Sequence, residues 1–272
     1  MASTFRKALE EAVAYYTEYG YGSSERLSDW MRRLYAVARQ DSPSPEQLQK
    51  RMKMAMETYF KRATSYTTTR RKHPGVPRYT IQQIEPRLRP ELSRRIQASA
   101  DLIKLNRDQA IEKTMQRFAG WATSVPSGGS NVVAKGEVKQ DIAKSLRQLS
   151  FVERRVAIDQ GHKLVSNVNA IIAEQGQAIA GMWRSHWRRP GYDYRPDHKE
   201  RDQKVFALRG NWAMQSGLMN KGAGYMDEMT AAGEEPFCEC YVVYFYNLRD
   251  LPADMLTNKG RSELERTRIK VA

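Results

Sequence analysis

The sequence contains little of what several classes of protein depend on. Its 272 residues include two cysteines, Cys238 and Cys240, which excludes a small scaffold held together by several disulfide bonds. No apolar run approaches the roughly 20 residues with which a helix crosses a bilayer. The amino-terminal segment also lacks the apolar centre of a signal peptide. We therefore expect an intracellular protein that makes no contact with a membrane.

The usual signatures of catalysis are scarce as well. The glycines between residues 210 and 224 lack the Lys-Ser or Lys-Thr pair that follows a phosphate-binding loop. Asp197, Glu200 and Asp202 surround His198, a group that would suit a metal-dependent nuclease. However, no second histidine lies nearby of the kind that a histidine-based nuclease motif supplies. We expect that the protein is not an enzyme, with a metal-dependent nuclease as an alternative.

Positive charge is present in excess and is unevenly spread. The net charge is +14, and residues 51–100 hold 12 lysines and arginines against three acidic residues. Residues 201–250 hold five basic against seven acidic residues. A strongly basic protein is attracted to polyanions, chiefly nucleic acid, and residues 51–100 supply most of the excess.

Within residues 51–100, the run from Thr64 to Tyr79 has no apolar period and contains two prolines, which predicts an exposed basic loop. The candidate contacts with double-stranded DNA are Arg70, Arg71, Lys72, Arg78, Arg87, Arg89, Arg94 and Arg95. None lies on an obvious recognition helix, so the contacts would be with phosphates and independent of base sequence. The same side chains would also suit an acidic surface on another protein, or a solvated face without a partner.

A helical period dominates the first 120 residues. Apolar residues recur from Phe5 to Tyr16 at helical spacing, and the serine pair at 23–24 is a candidate N-cap for a second helix. Ser44 followed by Pro45 is typical of the start of a third helix. A long helix is predicted from about residue 90 to residue 121.

The pattern divides the chain into five parts. A helical domain with the basic segment is expected over residues 1–125, and a linker over 126–135, where Pro126-Ser127-Gly128-Gly129-Ser130-Asn131 is rich in turn formers. A long helical region is expected over 136–187, a small α+β module over 188–250, and a C-terminal arm over 251–272. The predicted fold is thus mainly α, with a long-helix N-terminal part and a small α+β C-terminal module.

The α+β module is predicted from a change in residue pattern after residue 188. Lys204–Leu208 is a candidate short strand, and Tyr241–Tyr246, rich in β-branched and aromatic residues, is the stronger one. Trp183 and Trp187 are four residues apart. We expect them to share a helix face that anchors the helix on the module.

The order and spacing of motifs in this region resemble the Mu F-like family of phage head-morphogenesis proteins. The resemblance covers residues 150–247, about a third of the chain. It rests on Arg155 (or Arg154), Trp183, Arg195, Pro196, His198, Asp202, Phe206, Pro236, Cys238 and Cys240. Two positions depart from the family pattern: Gln203 stands where a turn glycine is usual, and Glu239 stands where an arginine is usual.

The resemblance implies a virion protein of few copies at the head or portal vertex, present in the host cytoplasm during assembly. It would associate with the phage portal and other head proteins, and act in head morphogenesis and in DNA packaging or ejection. The alternative is a nucleic-acid-binding protein outside the virion that carries a zinc-stabilised module.

Three residues of the motif are also candidate metal ligands. His198, Cys238 and Cys240 offer an imidazole and two thiols, which are zinc ligands, and His186 is a candidate fourth ligand. Residues two apart on a strand share a face, so the two thiols are expected to lie together. The other interpretation needs no cofactor: both cysteines are small core residues, and His198 bonds a backbone group.

Overall fold

The fold is described by a computed structural model that covers residues 4–130 and 132–269; residues 1–3, 131 and 270–272 lie outside the described part. The α-helices in the described part are α1 Thr4–Tyr19, α2 Ser24–Gln40, α3 Pro45–Thr64, α4 Tyr66–Lys72, α5 Arg78–Ser124, α6 Lys135–Ile142, α7 Lys144–Arg147, α8 Leu149–Gln175, α9 Pro196–Arg201, α10 Trp212–Gln215 and α11 Asn258–Ile269. The strands are β1 Ala180–Arg184, β2 Val205–Ala207 and β3 Tyr241–Phe245. This confirms the predicted fold class, mainly α with a small α+β module near the C-terminus. Within the described residues, every helix is too short or too polar to pass through a bilayer.

Local signals set the starts of the early helices. The Ser23 side chain accepts a hydrogen bond from the Arg26 N–H and caps α2. Before α3, Ser44 Oγ accepts from the Gln47 N–H, while the Gln47 side chain accepts from the Ser44 N–H. This is a capping box, and Pro45 follows as the first helical residue, as predicted.

The long helix α5 begins twelve residues before its predicted start. It runs through Pro86 and Pro90, each of which removes a backbone hydrogen bond and crowds the preceding turn. Ile81, Ile84 and Leu88 are nevertheless buried along one side of this first stretch. Burial of these side chains offsets the free-energy cost of the two prolines. The sequence alone predicts that a helix ends near a proline, and it does not reveal this compensating burial.

The predicted exposed loop over residues 64–79 is wrong in its centre, which forms α4. Ser65 caps this helix by accepting from the Thr68 N–H. The helix ends in buried residues, since Lys72 is 6% exposed and His73 is fully buried. The His73 ring stacks on Tyr244 at 5.2 Å between ring centroids, and its Nδ1 lies 2.6 Å from the Tyr246 hydroxyl. Contacts with a distant strand therefore order a segment that has no apolar pattern of its own.

The chain divides into two compact units that do not follow the boundary expected at residues 126–135. The first unit comprises Met1–Met52 and Gln97–Val156, and the second comprises Lys53–Ile96 and Ala157–Ala272. Residues 126–130 form a turn inside the first unit, where the Gly128 N–H donates to the Tyr19 carbonyl and the Ser130 N–H to the Thr17 carbonyl. These hydrogen bonds fix the glycine-rich segment, so it is no linker between units.

The first unit packs its helices around one apolar core. Phe5, Leu9, Val13 and Tyr16 of α1 meet residues of α2, α5 and α6, among them Phe118. The apolar stripe predicted for the first helix is therefore its buried face.

The sheet of the second unit is antiparallel with strand order β2-β1-β3. The predicted strands over 204–208 and 241–246 are confirmed as β2 and β3. The central strand β1 was not predicted, because residues 136–187 were assigned to a long helical region. That region breaks at Gln177, whose φ is 58°, and Trp183 lies on β1 while Trp187 follows it in a turn. The predicted shared helix face is therefore wrong, because Trp183 lies on a strand.

The segment expected as a separate C-terminal arm belongs to the second unit as far as it is described. Leu251, Met255 and Leu256 are buried in the same core as β1 and β2. At the start of α11, a Cβ added to Gly260 would lie 2.1 Å from the Leu218 carbonyl oxygen. The close backbone approach thus requires glycine at this position.

Candidate metal centre and basic residues

His198, Cys238 and Cys240 converge on one buried point of the second unit. Nδ1 of His198 lies 3.6 Å from Sγ of Cys238 and 3.6 Å from Sγ of Cys240. All three side chains are buried, and their ligand atoms lie within 4.8 Å of one another. The prediction that the two thiols lie together is confirmed.

Short, well-fixed segments position these three donors. His198 lies in α9, which has Pro196 as its first residue, and Cys240 directly precedes β3. Phe237 adopts a left-handed backbone conformation with φ 63°, and its N–H donates to Asp159 Oδ1 at 3.2 Å. This bend turns the chain so that Cys238 and Cys240 both face His198.

The two thiols share their protons unequally. A hydrogen bond from the Cys240 thiol lowers the pKa of Cys238 against the opposing effect of burial, with help from backbone N–H groups and from His198. The Gly233 N–H donates to Cys238 Sγ at 3.4 Å. The same interaction with Cys238, together with burial, raises the pKa of Cys240. Of the two thiols, Cys238 is thus the one that loses its proton first, and the thiolate is the ligand form of cysteine.

The far side of the His198 ring faces two carboxylates. Its Nε2 lies 3.8 Å from Glu235 Oε2 and 3.9 Å from Asp197 Oδ2, and the edge of Trp183 packs at 5.4 Å between ring centroids. Both nitrogen–oxygen distances are too long for a hydrogen bond, and Nε2 is buried without a hydrogen-bond partner among the described residues.

The two nitrogen–sulfur distances are compatible with a shared metal ion and equally with hydrogen bonds between the thiols and the imidazole. Sulfur at about 2.3 Å and nitrogen at about 2.0–2.1 Å from a tetrahedral zinc ion lie roughly 3.6 Å apart, which is the spacing between Nδ1 and each Sγ. His186, the candidate fourth ligand, does not belong to the group. The described chain thus brings together three side chains that could hold a metal ion.

The other motif residues hold the segments around this cluster. Arg195 forms an ion pair with Glu235 at 2.5 Å and donates to the Pro236 carbonyl at 3.0 Å. Phe206 is buried against Trp183 and Cys238 in one apolar cluster. Arg155 belongs to the first unit, unlike the rest of the motif.

Asp202 fixes the turn that follows β1. Its carboxylate accepts from the Ser185 N–H at 2.9 Å and from Trp187 Nε1 at 3.0 Å. Burial acts to raise the pKa of Asp202, but these hydrogen bonds and Arg188 outweigh it and hold the pKa below its usual value. The neighbouring Gln203 has φ 67°, a left-handed conformation that favours the glycine usual at this position of the family pattern.

Comparison of the chain with models of protein families, with curated proteins and with solved structures found no match. The resemblance to the Mu F-like family therefore depends on the motif residues alone. Those from Trp183 to Cys240 lie within the second unit.

The eight candidate DNA contacts differ in their exposure. Arg70, Arg71 and Arg78 are exposed, and Arg87, Arg89 and Arg94 are exposed but bonded to neighbouring side chains. Lys72 and Arg95 are each 6% exposed, and Arg95 is held by Glu91 at 2.8 Å. The prediction that Lys72 and Arg95 contact DNA is wrong, because a buried side chain cannot reach the backbone of a duplex.

Sequence reasoning missed a cavity of about 340 Å³ in the second unit. Its lining includes Arg62, Arg71, Lys72, Asn169 and Tyr241. These residues come from α3, α4, α8 and β3. The sequence shows that this segment is basic. It does not show that Lys72 faces inwards and lines a cavity.

Proposed function

We propose that the chain is a minor structural protein of a tailed-phage head, associated with the portal and the head interior. It would act in head morphogenesis and in DNA packaging or ejection by binding protein and DNA. The supporting observation is the convergence of the motif residues around His198, Cys238 and Cys240. Motif residues up to about 60 positions apart in sequence thus lie together in one small module, as expected for a motif that is characteristic of a fold.

The roles of the motif residues favour a binding module over a catalyst. Asp202, whose side chain is buried, is engaged by Ser185 and Trp187, and Asp197 is paired with Arg201 at 2.6 Å. A general base needs a free lone pair within reach of the water that it activates. We therefore propose no catalytic turnover, and we expect His198→Ala to abolish no reaction.

A nuclease assay tests this proposal directly. Purified protein incubated with supercoiled plasmid and Mg²⁺, Mn²⁺ or Zn²⁺ should leave the plasmid intact. Cleavage that disappears in His198→Ala while the fold persists would replace the structural role with the nuclease alternative.

The exposed basic side chains support contact with DNA. Arg70, Arg71 and Arg78 have no ion-pair partner among residues 4–130 and 132–269, so their charges are available to phosphates. Each phosphate contact contributes about −0.9 to the log–log salt dependence of binding. Because Lys72 is buried, alanine at positions 70–72 should reduce the slope by about two units, the share of Arg70 and Arg71.

We also propose that the module binds zinc through His198, Cys238 and Cys240. Zinc would hold α9 and the segment before β3 together, adding binding free energy to the stability of a small three-stranded sheet. The 3.6 Å spacing between Nδ1 and each Sγ supports this assignment.

The zinc proposal is tested by metal analysis of the purified chain. We expect about one zinc ion per chain, its loss in Cys238→Ser and Cys240→Ser, and a lower melting temperature after chelation. His186→Gln is the matched control, because this histidine lies outside the donor group. Full zinc content in both cysteine variants would contradict the zinc assignment and favour the interpretation that both cysteines are core residues.

The virion role is tested by fractionating phage particles. The chain should co-purify with DNA-filled heads and the portal in a small fixed number of copies. A chain that is absent from particles but binds free DNA with sequence preference would support the alternative of a regulator outside the virion.

A further inference from the structure

The cavity in the second unit, here called the basic pocket, concentrates positive charge without a matching negative charge. Arg62 of α3 and Arg71 and Lys72 of α4 line it. Within residues 4–130 and 132–269, none of the three forms an ion pair with a carboxylate. The acidic residue of the lining, Glu239, is paired with Arg189 at 2.6 Å.

Lys72 is the unusual member of this group. Its side chain is 94% removed from solvent, yet it has no hydrogen-bond acceptor among the described residues. Burial, reinforced by the charges of Arg71 and Arg62, lowers its pKa to about 8. The ammonium nitrogen keeps contact with the space of the pocket, so an anion bound there would accept its hydrogen bonds and offset the partial desolvation of the charge.

The other walls of the pocket are suited to a compact anion. Lys72 Nζ and the Arg71 guanidinium lie 5.4 and 5.6 Å from the centre of the Tyr241 ring, so both cations contact one aromatic ring of the lining. Ser166 and Asn169 of α8 add polar side chains to the lining.

We propose that the basic pocket is a phosphate-binding site, which takes the phosphate group of a small molecule. A phosphate dianion offers oxygen atoms to several donors at once and matches clustered Arg and Lys side chains. A volume of about 340 Å³ falls in the range of small-molecule sites.

Duplex DNA is a poorer occupant than a small phosphate compound. Its phosphates lie on a wide cylinder and meet exposed side chains, whereas Lys72 lies below the surface. The site therefore goes beyond the proposed DNA contact. Arg71 belongs to both, but Lys72 and Arg62 belong to the pocket alone, and Arg70 and Arg78 to the DNA contact alone, so variants at these four positions test the two assignments separately.

Calorimetric titration of the full-length protein with inorganic phosphate, at constant ionic strength, tests the proposal. We expect saturable binding and a melting temperature that rises with phosphate concentration. Lys72→Met and Arg62→Ala should each weaken binding about tenfold or more, because a charge-assisted hydrogen bond is lost. Lys61→Ala is the matched control, since it removes the same charge from the neighbouring, exposed position of α3.

Three results would overturn the proposal. The first is no saturable binding of phosphate by the wild-type protein. The second is equal weakening by Lys61→Ala, which would indicate a general charge effect. The third comes from a parallel titration with a 20-base-pair duplex: if Lys72→Met weakens duplex binding and leaves phosphate binding unchanged, Lys72 contacts DNA instead.

Mononucleotide binding that depends on Lys72 in the same way as phosphate binding supports a small phosphate ester as the natural ligand.

Discussion

Replacing Lys72 with methionine should stabilise the protein. The side chain is 6% exposed and lacks a carboxylate partner among the described residues. Methionine keeps the length and flexibility of the side chain but carries no charge. The substitution thus removes the desolvation cost of the ammonium group while it preserves the packing against Tyr241.

The magnitude follows from the displaced pKa. Burial lowers the pKa of Lys72 from 10.5 to about 8, and one unit of pKa corresponds to about 1.4 kcal/mol. The charged Lys72 therefore costs about 3 kcal/mol at neutral pH. Because the unfolded chain holds the proton up to higher pH than the folded protein, the cost is full below pH 8 and disappears above pH 10.5.

The size of the gain and its pH dependence are both measured by denaturant unfolding from pH 7 to pH 10.5. The proteins compared are wild type, Lys72→Met and the exposed control Lys61→Met. At pH 7 the Lys72 variant should gain up to about 3 kcal/mol in free energy of unfolding, and the control should change by less than about 0.5 kcal/mol. The gain should shrink as the pH rises. A Lys72 variant that is less stable than wild type, or a gain that is constant with pH, would refute the reasoning.

Three further changes probe other parts of the fold. Phe245→Asp should lower the free energy of unfolding by several kcal/mol because it buries a carboxylate, whereas Val243→Asp, at a half-buried site, should cost less; equal losses would contradict this difference in burial. Gln203→Gly should raise the melting temperature through a gain of about 1 kcal/mol at a left-handed position, and Gln203→Ala, the control, should give no gain. Burial lowers the pKa of His73 from 6.5 to about 4, so its contribution to stability is complete above pH 6.5 and is lost as the pH falls towards 4. His73→Gln should flatten the pH dependence of denaturant unfolding over this range, and parallel curves for the two proteins would contradict the assignment.

The features that the sequence alone determined are local ones. Ser23 and Ser44 mark helix starts because a cap needs only a side-chain oxygen within three residues of the N–H groups that it accepts from. The strand over Tyr241–Tyr246 was found because β-branched and aromatic residues favour an extended backbone. The three-residue donor group was found because Cys-x-Cys and histidine are a recognisable ligand set.

What the tertiary structure decided depends on residues far apart in the chain. β1 is a strand because β2 and β3 pair with both of its edges, although its own sequence follows a helical stretch. His73 is buried because Tyr244 and Tyr246 lie against it. Lys72 therefore lines a cavity inside the second unit, and its position in a basic run had indicated a solvated loop. Charge and periodicity describe a side chain and its neighbours in sequence, whereas burial depends on which distant surfaces the fold brings against it.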